Sequence, residues 1–257
     1  MPSILNISGY KFLALSGLTK LRTDFLEQAA NFKLKGTILL SNEGINLNAA
    51  GLPEHIKAFL LWLQKDPRFF DMIFRESYSL ASPFRVMKVK LKKEIITMRQ
   101  KNISPTAQKA AALSPEILKQ WLDENRDFTL LDTRNDYEVC FGTFRHAKHL
   151  HLNHFGEFPE SAKKISRDKP IVMFCTGGIR CEKAALVMME MGHSNVYQLE
   201  GGILNYFSKV GGDYFSGECF VFDGRVALDA NLQPTDTKQC VICQGPVTKN
   251  SHVCMNK

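Results

Sequence analysis

One short segment constrains the fold of this chain more than any other, the run Phe-Cys-Thr-Gly-Gly-Ile-Arg-Cys from Phe174 to Cys181. The apolar stretch Ile171 to Phe174 leads into it, and a helical pattern begins near Glu182. Apolar strands without alternation, separated by helices, are typical of a parallel sheet covered on both faces. Such sheets bind ligands at the carboxyl ends of their strands. The segment therefore predicts an α/β domain with a reactive site at Cys175.

The composition of this loop predicts its chemistry. The glycine pair lets several backbone N–H groups turn inward, and the helix that follows adds its partial positive charge. These groups stabilise a thiolate or persulfide at Cys175 and lower the pKa of its thiol, so the sulfur is nucleophilic at neutral pH. A buried structural cysteine before a glycine turn is the alternative. The predicted active loop that accompanies the cysteine consists of Thr176, Gly177, Gly178, Ile179 and Arg180.

Spacing within the loop separates two chemistries. Four residues lie between Cys175 and Arg180, whereas cysteine phosphatases place five between the same residue types to surround a phosphate. The smaller ring favours sulfur over phosphate. Cys181 follows at the start of the helix, where it either resolves a persulfide on Cys175 or faces the core. Cys140 and Cys219 have no reactive-thiol motif of their own and are predicted to be structural.

Charge is distributed unevenly along the chain. The net charge is +7, but residues 1–113 contain 17 basic and 8 acidic residues, and the remainder is slightly acidic. A concentrated positive field attracts nucleic acid because neutralised phosphates release their counterions. The alternative is the solvent face of a strand whose Val86, Val89 and Leu91 pack into the core. The candidate nucleic-acid-binding residues are Arg85, Lys88, Lys90, Lys92 and Lys93.

The order of elements in the first part predicts a ferredoxin-like sandwich, with the sequence strand, helix, strand, strand, helix, strand. The first strand is expected from Asn6 to Leu15 and the last from Phe84 to Leu91. We predict four regions: a ferredoxin-like basic domain over residues 1–92, a linker over 93–113, an α/β domain over 114–210, and an irregular cysteine-containing C-terminal extension over 211–257.

Two levels of resemblance follow from these motifs. The segment Cys-x-x-Gly-x-Arg after a strand resembles the active loop of rhodanese domains. Two further segments are similar to that family's flanking motifs: Leu131 to Arg134 with Tyr137-Glu138, and Leu199 to Ile203. Together with Gly36 to Asn46 and Cys219 to Val226, the loop resembles the rhodanese-containing tRNA uridine hydroxylases along nearly the whole chain. This resemblance implies a rhodanese-like, doubly wound parallel sheet in the second domain.

The resemblance also implies an activity. Members of that family convert the wobble uridine (position 34) of tRNA to 5-hydroxyuridine with O2 as co-substrate, and the residue that corresponds to the persulfide-bearing cysteine is Cys175. The implied partners are tRNA and an unidentified electron or sulfur donor. Two alternatives stay open at this point: a sulfurtransferase that uses thiosulfate or a persulfide, and a non-catalytic tRNA-binding adaptor.

Cofactor motifs are sparse. The sequence has no Gly-x-Gly-x-x-Gly segment typical of flavin or nicotinamide sites, and no carboxylate at helical spacing that would complete an iron site with its histidines. The histidines at 146, 149, 151 and 154 are therefore interpreted as a loop near the active site or as surface residues. Zinc is possible at Cys240, Cys243 and Cys254, an incomplete set whose fourth ligand is expected beyond Lys257 or from His252.

The cellular location is predicted from the lack of a membrane-spanning segment and of a signal peptide in the sequence. No apolar run reaches the length of about 18 residues that spans a bilayer, and the first residues do not form a signal peptide. The seven cysteines are an odd number and fit reduced or metal-bound thiols better than a disulfide framework. We therefore expect a cytoplasmic protein without membrane contact.

Overall fold

A computed structural model describes residues 3–100 and 102–247. The chain divides into two compact units, Met1–Thr97 and Met98–Lys257. Within the described ranges, no helix is both long enough and apolar enough to cross a membrane.

The first unit is built on a five-stranded sheet with the strand order β4-β1-β3-β2-β5. Its neighbouring strands are antiparallel except for β2 and β5, which are parallel. The strands are β1 (Ile4–Phe12), β2 (Lys35–Ser41), β3 (Gly44–Gly51), β4 (Arg75–Ser79) and β5 (Met87–Leu91). The helices are α1 (Leu18–Asn31) and α2 (Pro53–Leu63). The order of the first four strands is that of the predicted ferredoxin-like sandwich, and this prediction is confirmed.

Apolar periodicity accounts for the core of this unit. In α1 the residues Leu21, Phe25 and Ala29 are buried at helical spacing. Phe25 packs edge-on against Phe69, with ring centroids 5.9 Å apart. Pro53 occupies the first turn of α2, as predicted, because its missing N–H costs nothing there.

The fourth strand of the sandwich differs from the prediction. The sequence assigned it to Phe84–Leu91, but Arg75–Ser79 pairs with β1 in that position. This segment is an edge strand with no fully buried residue, so it has no apolar alternation to detect. The basic segment instead forms β5, a fifth strand beside β2. Of its apolar residues Val89 is buried, whereas Val86 and Leu91 are exposed and do not join the core.

The second unit contains a five-stranded parallel sheet with the strand order β6-β11-β10-β7-β9. Its elements up to the last helix are β6 (Ala111–Leu113), α3 (Pro115–Asp123), β7 (Thr129–Asp132), α4 (Asp136–Val139), β8 (Gly142–Phe144), β9 (Lys148–His149), α5 (Phe158–Ala162), β10 (Ile171–Phe174), α6 (Ile179–Glu190), β11 (Val196–Leu199) and α7 (Gly202–Val210). Helix α3 contacts α7, and α5 contacts α6. The predicted parallel α/β sheet is confirmed.

Local sequence signals explain where several of these elements lie. All four residues of β10 are buried, as expected for the centre of a parallel sheet. The side chain of Ser114 accepts a hydrogen bond from the Ile117 N–H at 3.3 Å and caps α3, as its position before Pro115 predicts.

The stretch predicted as a linker contributes a strand. Residues Ala111–Leu113 form β6 and pair in parallel with β11. The two alanines are exposed and only Leu113 is buried, so the sequence shows no strand periodicity there. Backbone pairing at the sheet edge, rather than side-chain burial, defines this strand.

The C-terminal extension consists of short pairs of strands. They are β12 (Phe215–Gly217), β13 (Cys219–Phe220), β14 (Ala227–Leu228), β15 (Lys238–Gln239) and β16 (Pro246–Val247). Strand β12 pairs with β8, β13 with β14, and β15 with β16. Phe220, Cys219 and Ala227 are buried, so this region packs onto the parallel-sheet unit despite its weak sequence pattern.

Candidate active site

Cys175 lies at the carboxyl end of the central strand β10, as predicted, and its side chain is fully buried. The helix that follows begins at Ile179, three residues before the predicted start near Glu182. Arg180 and Cys181 are therefore residues of its first turn. Gly178 precedes the helix with a φ of 97°, a left-handed conformation that favours glycine.

Backbone groups hold this loop closely. The Gly178 N–H donates a hydrogen bond to the Cys175 Sγ at 3.1 Å. The carbonyl of Cys175 accepts from the Ile203 N–H at 2.9 Å, and the carbonyl of Thr176 accepts from the Leu204 N–H at 3.1 Å. The start of α7 therefore fixes the backbone of the loop through two hydrogen bonds.

Gly202 makes this close approach possible. A Cβ atom at this position would lie 2.3 Å from the Cys175 carbonyl oxygen, well inside van der Waals contact, and its φ is 65°. Only glycine avoids both the clash and the strained backbone. This is the structural role of the Glu-Gly-Gly motif that the sequence places after β11.

A buried ion pair positions the arginine of the loop. Arg180 donates two hydrogen bonds to Glu138, at 2.5 and 2.7 Å, and both side chains are almost completely buried. The two parallel bonds fix the guanidinium plane. Glu138 also accepts from the Asn135 N–H at 3.1 Å, which completes a capping box at the start of α4. The carboxylate thus anchors both a helix and the active loop.

The environment of Cys175 favours its thiolate. Burial alone raises the pKa of this thiol, but a hydrogen bond from Cys181, the charge of Arg180 and the N–H groups of Gly178 and Arg180 together lower the pKa to about 5. Burial and the neighbouring Cys175 sulfur raise the pKa of Cys181. The pair is therefore a thiolate at Cys175 beside a protonated thiol at Cys181. This arrangement fits a nucleophilic Cys175.

The structure places Cys181 both in the core and beside Cys175, the two alternatives that the sequence left open. Its side chain is fully buried, and its sulfur lies 3.6 Å from the Thr133 hydroxyl, so it faces the core. It is also within hydrogen-bonding reach of Cys175. Its role as a resolving thiol stays a prediction.

A second buried ion pair lies under the site. Arg134 bonds Asp132 through its Nε and Nη2 atoms, and both side chains are fully buried. Nη2 also donates to the Gly142 carbonyl at 2.6 Å, and the Thr143 hydroxyl donates to Asp132 at 2.8 Å. These bonds tie the end of β7 to β8. The Asp-Thr-Arg motif is thus a structural support rather than part of the reacting loop.

The C-terminal extension supplies side chains that sequence reasoning missed. The Thr176 hydroxyl donates to the Phe220 carbonyl at 3.3 Å, and burial raises the pKa of the neighbouring Cys219 thiol to about 12. Cys219 is therefore inert at neutral pH. Phe222 stands over Arg180, whose guanidinium carbon lies 5.7 Å from the ring centroid. This ring is 62% exposed. The available sequence signal was the segment Cys219 to Val226, which carries the family resemblance but gives no position relative to the loop.

Comparison with known proteins agrees with this architecture. Residues 4–95 match the family described as a UPF0176 acylphosphatase-like domain, and residues 114–209 match the rhodanese-like domain. A protein named tRNA uridine(34) hydroxylase from Cupriavidus pinatubonensis is 49% identical over 253 residues, which cover 95% of this chain and 90% of that protein. A protein of the same name from Variovorax paradoxus is 51% identical and covers 90% of this chain and 91% of its own length.

The chain belongs to the tRNA uridine(34) hydroxylase family. The resemblance predicted from the loop and its flanking motifs is therefore confirmed. A solved rhodanese-related protein from Thermoplasma volcanium covers 39% of this chain and 94% of its own, at 24% identity and a TM-score of 0.35, which is too low to support an argument about function.

The basic residues predicted to bind nucleic acid all belong to the first unit. Lys88 and Lys90 alternate with buried or half-buried residues along β5 and point to solvent. The complete set is exposed: Arg85, Lys88, Lys90, Lys92 and Lys93. Their exposure fits either the solvated face of a strand or a surface for an anion.

The C-terminal cysteines occupy a tight hairpin. Cys240 and Cys243 lie between β15 and β16, and the Cys240 N–H donates to the Gly245 carbonyl at 2.8 Å. The Ile242 N–H points to the Cys240 sulfur at 3.4 Å. Two sulfurs in a short turn with an inward N–H fit half of a zinc site. Cys254 and His252 lie outside the described residues.

The histidine-rich segment divides into two parts. His154 faces Glu157 at 3.5 Å on the surface. His149 and His151 instead approach Asp136, which is the first residue of α4. The sequence showed no carboxylate at helical spacing for these histidines, because the fold supplies one from a different element.

Proposed function

We propose that this protein hydroxylates the wobble uridine (position 34) of tRNA to 5-hydroxyuridine, with O2 as the source of the oxygen atom and Cys175 as the reacting group. It is thus proposed to be an oxidoreductase that acts with O2. Relatives named tRNA uridine(34) hydroxylase are about half identical over nearly the full length. The observation that carries the proposal is the buried Cys175 sulfur after β10, which accepts a hydrogen bond from the Gly178 N–H at 3.1 Å. The charge of the neighbouring Arg180 helps to lower the pKa of this thiol.

The electron and proton count of the hydroxylation shows which reactants the site requires. Replacing the hydrogen on uridine C5 by a hydroxyl with one atom of O2 consumes two electrons and two protons, and the second oxygen atom leaves as water. A reductant must therefore supply the electrons, and this donor is a separate partner. Cys175 is fully buried, so the loop and the extension must open for a nucleobase to reach its sulfur.

Phe222 is proposed as the surface that receives the base. Unpaired anticodon bases can be splayed out and stacked on an aromatic ring. The Phe222 ring is largely exposed and lies directly over the Arg180 guanidinium. A uridine stacked there would be held beside the loop, with Arg180 underneath as a fixed positive charge.

The basic strand is proposed to contact the tRNA backbone. The first unit carries most of the excess positive charge, and its candidate residues are exposed on β5 and the segment that follows. Phosphate contacts of this kind position a nucleic acid without reading its sequence. Action on tRNA also implies a cytoplasmic protein.

A rhodanese-like loop also suits sulfur transfer, which is the second candidate function. The loop has the Cys-x-x-Gly-x-Arg form, and the low pKa of Cys175 would equally favour a persulfide. This activity would proceed without O2 and without tRNA.

The test is a reaction with unmodified tRNA in the presence and absence of O2, followed by mass spectrometry of the wobble nucleoside. Cys175→Ala is the informative variant, and Cys140→Ala is the matched control because Cys140 lies outside the loop. We expect a gain of one oxygen mass that requires O2, is lost in Cys175→Ala and persists in Cys140→Ala. A gain of sulfur would assign tRNA thiolation, and modification by Cys175→Ala would refute the role of this residue.

We also propose that Cys240 and Cys243 contribute two thiolates to a zinc site. The hairpin geometry supports two of the four ligands. Metal analysis of the purified full chain, compared with Cys240→Ser, tests this proposal. We expect the Cys240→Ser variant to contain less zinc than the original protein, and equal zinc content in both would refute this proposal.

A further inference from the structure

Three side chains with metal-binding atoms, Asp136, His149 and His151, converge at the start of α4, the helix whose Glu138 binds Arg180. The Asp136 Oδ1 lies 3.4 Å from the Nδ1 of His149 and 3.2 Å from the Nδ1 of His151. One ligand atom from each of the three residues lies within 4.8 Å of the others. They come from two different elements, so the cluster is a product of the fold rather than of a local motif.

Strand pairing explains how these residues meet. Strand β9 runs parallel to β7, and His149 pairs in register with Asp132. The chain after His149 then stays beside the chain after β7, where Asn135 bridges to Leu152. The Asp136 N–H donates to the Leu152 carbonyl at 2.8 Å. Both histidines are thereby carried to the start of α4, at the carboxyl edge of the sheet where Cys175 also lies.

The distances match a shared ion. Histidine nitrogen and carboxylate oxygen bind zinc at about 2.1 Å, so two ligands on one ion at octahedral or tetrahedral angles lie about 3.0 to 3.4 Å apart. The two separations from the Asp136 Oδ1, 3.2 and 3.4 Å, fall within or at the edge of this interval, and all three ligand atoms lie within 4.8 Å of one another. The 3.2 Å contact is a hydrogen bond between Asp136 and His151, which a bound ion would replace. The histidine rings are tilted by 53°, with centroids 4.1 Å apart, so neither ring lies flat on the other.

One nitrogen of the cluster, the Nδ1 of His149, lacks a hydrogen-bond partner among the described residues. Within the described part of the chain, the Nδ1 of His149 is buried and makes no hydrogen bond. Buried polar groups are nearly always satisfied, and a neutral imidazole nitrogen is satisfied by a proton donor or by a metal ion. The 3.4 Å approach to Asp136 supplies no hydrogen bond.

We propose that Asp136, His149 and His151 form a binding site for a divalent transition-metal ion. Two imidazoles and one carboxylate suit Fe²⁺, Co²⁺ or Zn²⁺, whereas Mg²⁺ and Ca²⁺ prefer oxygen ligands alone. Three protein ligands leave coordination positions open, and His151 is exposed to solvent. Asp136 is two residues before Glu138, which binds Arg180, so the same short helix serves the metal site and the active loop.

The experiment is a titration of the full chain with Co²⁺, followed by its visible absorption and by equilibrium dialysis. The background is Cys240→Ser/Cys243→Ser, so that the C-terminal thiols do not bind the probe. The site variants are His151→Asn and Asp136→Asn. His154→Asn is the matched control, because His154 lies in the same segment and faces an exposed carboxylate without joining the cluster.

We expect one equivalent of Co²⁺ with no sulfur charge-transfer band. Loss of an outer-shell partner alone weakens metal binding by about 10- to 100-fold, so loss of a direct ligand should weaken it by at least about 10-fold. His154→Asn should bind like the background protein. Absence of bound Co²⁺, equal affinity of His151→Asn and His154→Asn, or a thiolate charge-transfer band would overturn the proposal. Binding is measured directly, so the result does not depend on the proposed hydroxylase function.

Discussion

Removing the charge of Glu138 should destabilise the second unit strongly. In Glu138→Gln the side chain keeps its shape, but the buried Arg180 loses its counter-charge. Breaking a buried pair by removing one partner costs about 3 to 5 kcal/mol. For a unit of this size each kcal/mol lowers Tm by about 2 to 4 °C, so we expect a decrease of about 6 to 20 °C.

The assay can observe this unit separately. The chain has two tryptophans, and Trp121 packs against Phe128 and Tyr197 in the second unit, whereas Trp62 belongs to the first. Thermal unfolding is therefore followed by tryptophan fluorescence in a Trp62→Phe background. Trp121 is then the only reporter, and its transition belongs to the unit that holds the ion pair.

The chain provides a control of the same chemistry. Glu160 pairs with Lys163 at 2.6 Å, close to the 2.5 Å of the Glu138 pair, but both partners are exposed. Exposed ion pairs contribute little to the free energy of unfolding, so Glu160→Gln should change Tm by a few degrees at most. Equal effects of Glu160→Gln and Glu138→Gln would refute the argument from burial. In the double variant Glu138→Leu/Arg180→Met, apolar packing should recover much of the lost stability.

Three further predictions concern the site and its substrate. The rate at which iodoacetamide alkylates Cys175, followed by peptide mass spectrometry, should fall as the pH is lowered through about 5. Arg180→Met should move the midpoint of this pH dependence upward, and a midpoint near 9 in the original protein would contradict a thiolate at Cys175. Phe222→Ala should lower kcat/KM for tRNA by about 5- to 150-fold, the range expected for one lost base stack, while Phe222→Trp retains activity; equal values for both variants would exclude stacking. Lys88→Gln/Lys90→Gln should reduce the slope of log affinity for tRNA against log salt concentration by about 0.7 to 0.9 per lost phosphate contact. Lys163→Gln should leave this slope unchanged, and an unchanged slope in the Lys88/Lys90 variant would show that β5 does not contact tRNA.

The sequence predicted those features that have a local signal. The apolar run of β10 and the glycine pair after it were sufficient to place Cys175 at a strand end. Ser114 before Pro115 was sufficient to place the start of α3. Each depends on residues adjacent in the chain, where propensity and periodicity act directly.

Features that depend on partners distant in sequence were not predicted. The pairing of Glu138 with Arg180 joins residues 42 positions apart, and periodicity contains no information about such a contact. Strand β4 was missed because an edge strand without buried residues is defined by its hydrogen bonds to β1. Asp136 was missed as a partner of His149 for the same reason, since the register of β7 and β9 brings them together.

The hydrogen bond between Thr176 of the active loop and Phe220 of the C-terminal extension suggests how a common fold is adapted to a particular substrate. The sheet and loop that the chain shares with rhodanese-like domains end near residue 209, whereas Phe220 and Phe222 lie beyond that boundary. A fragment that ends there would keep Cys175 but lose the Phe220 carbonyl that accepts the Thr176 hydrogen bond, as well as the Phe222 ring over Arg180. The contacts that distinguish this loop surface are therefore supplied by a segment outside the shared rhodanese-like domain. Grafting the appended segment, rather than altering the loop, is the change by which another rhodanese-like domain would gain this surface.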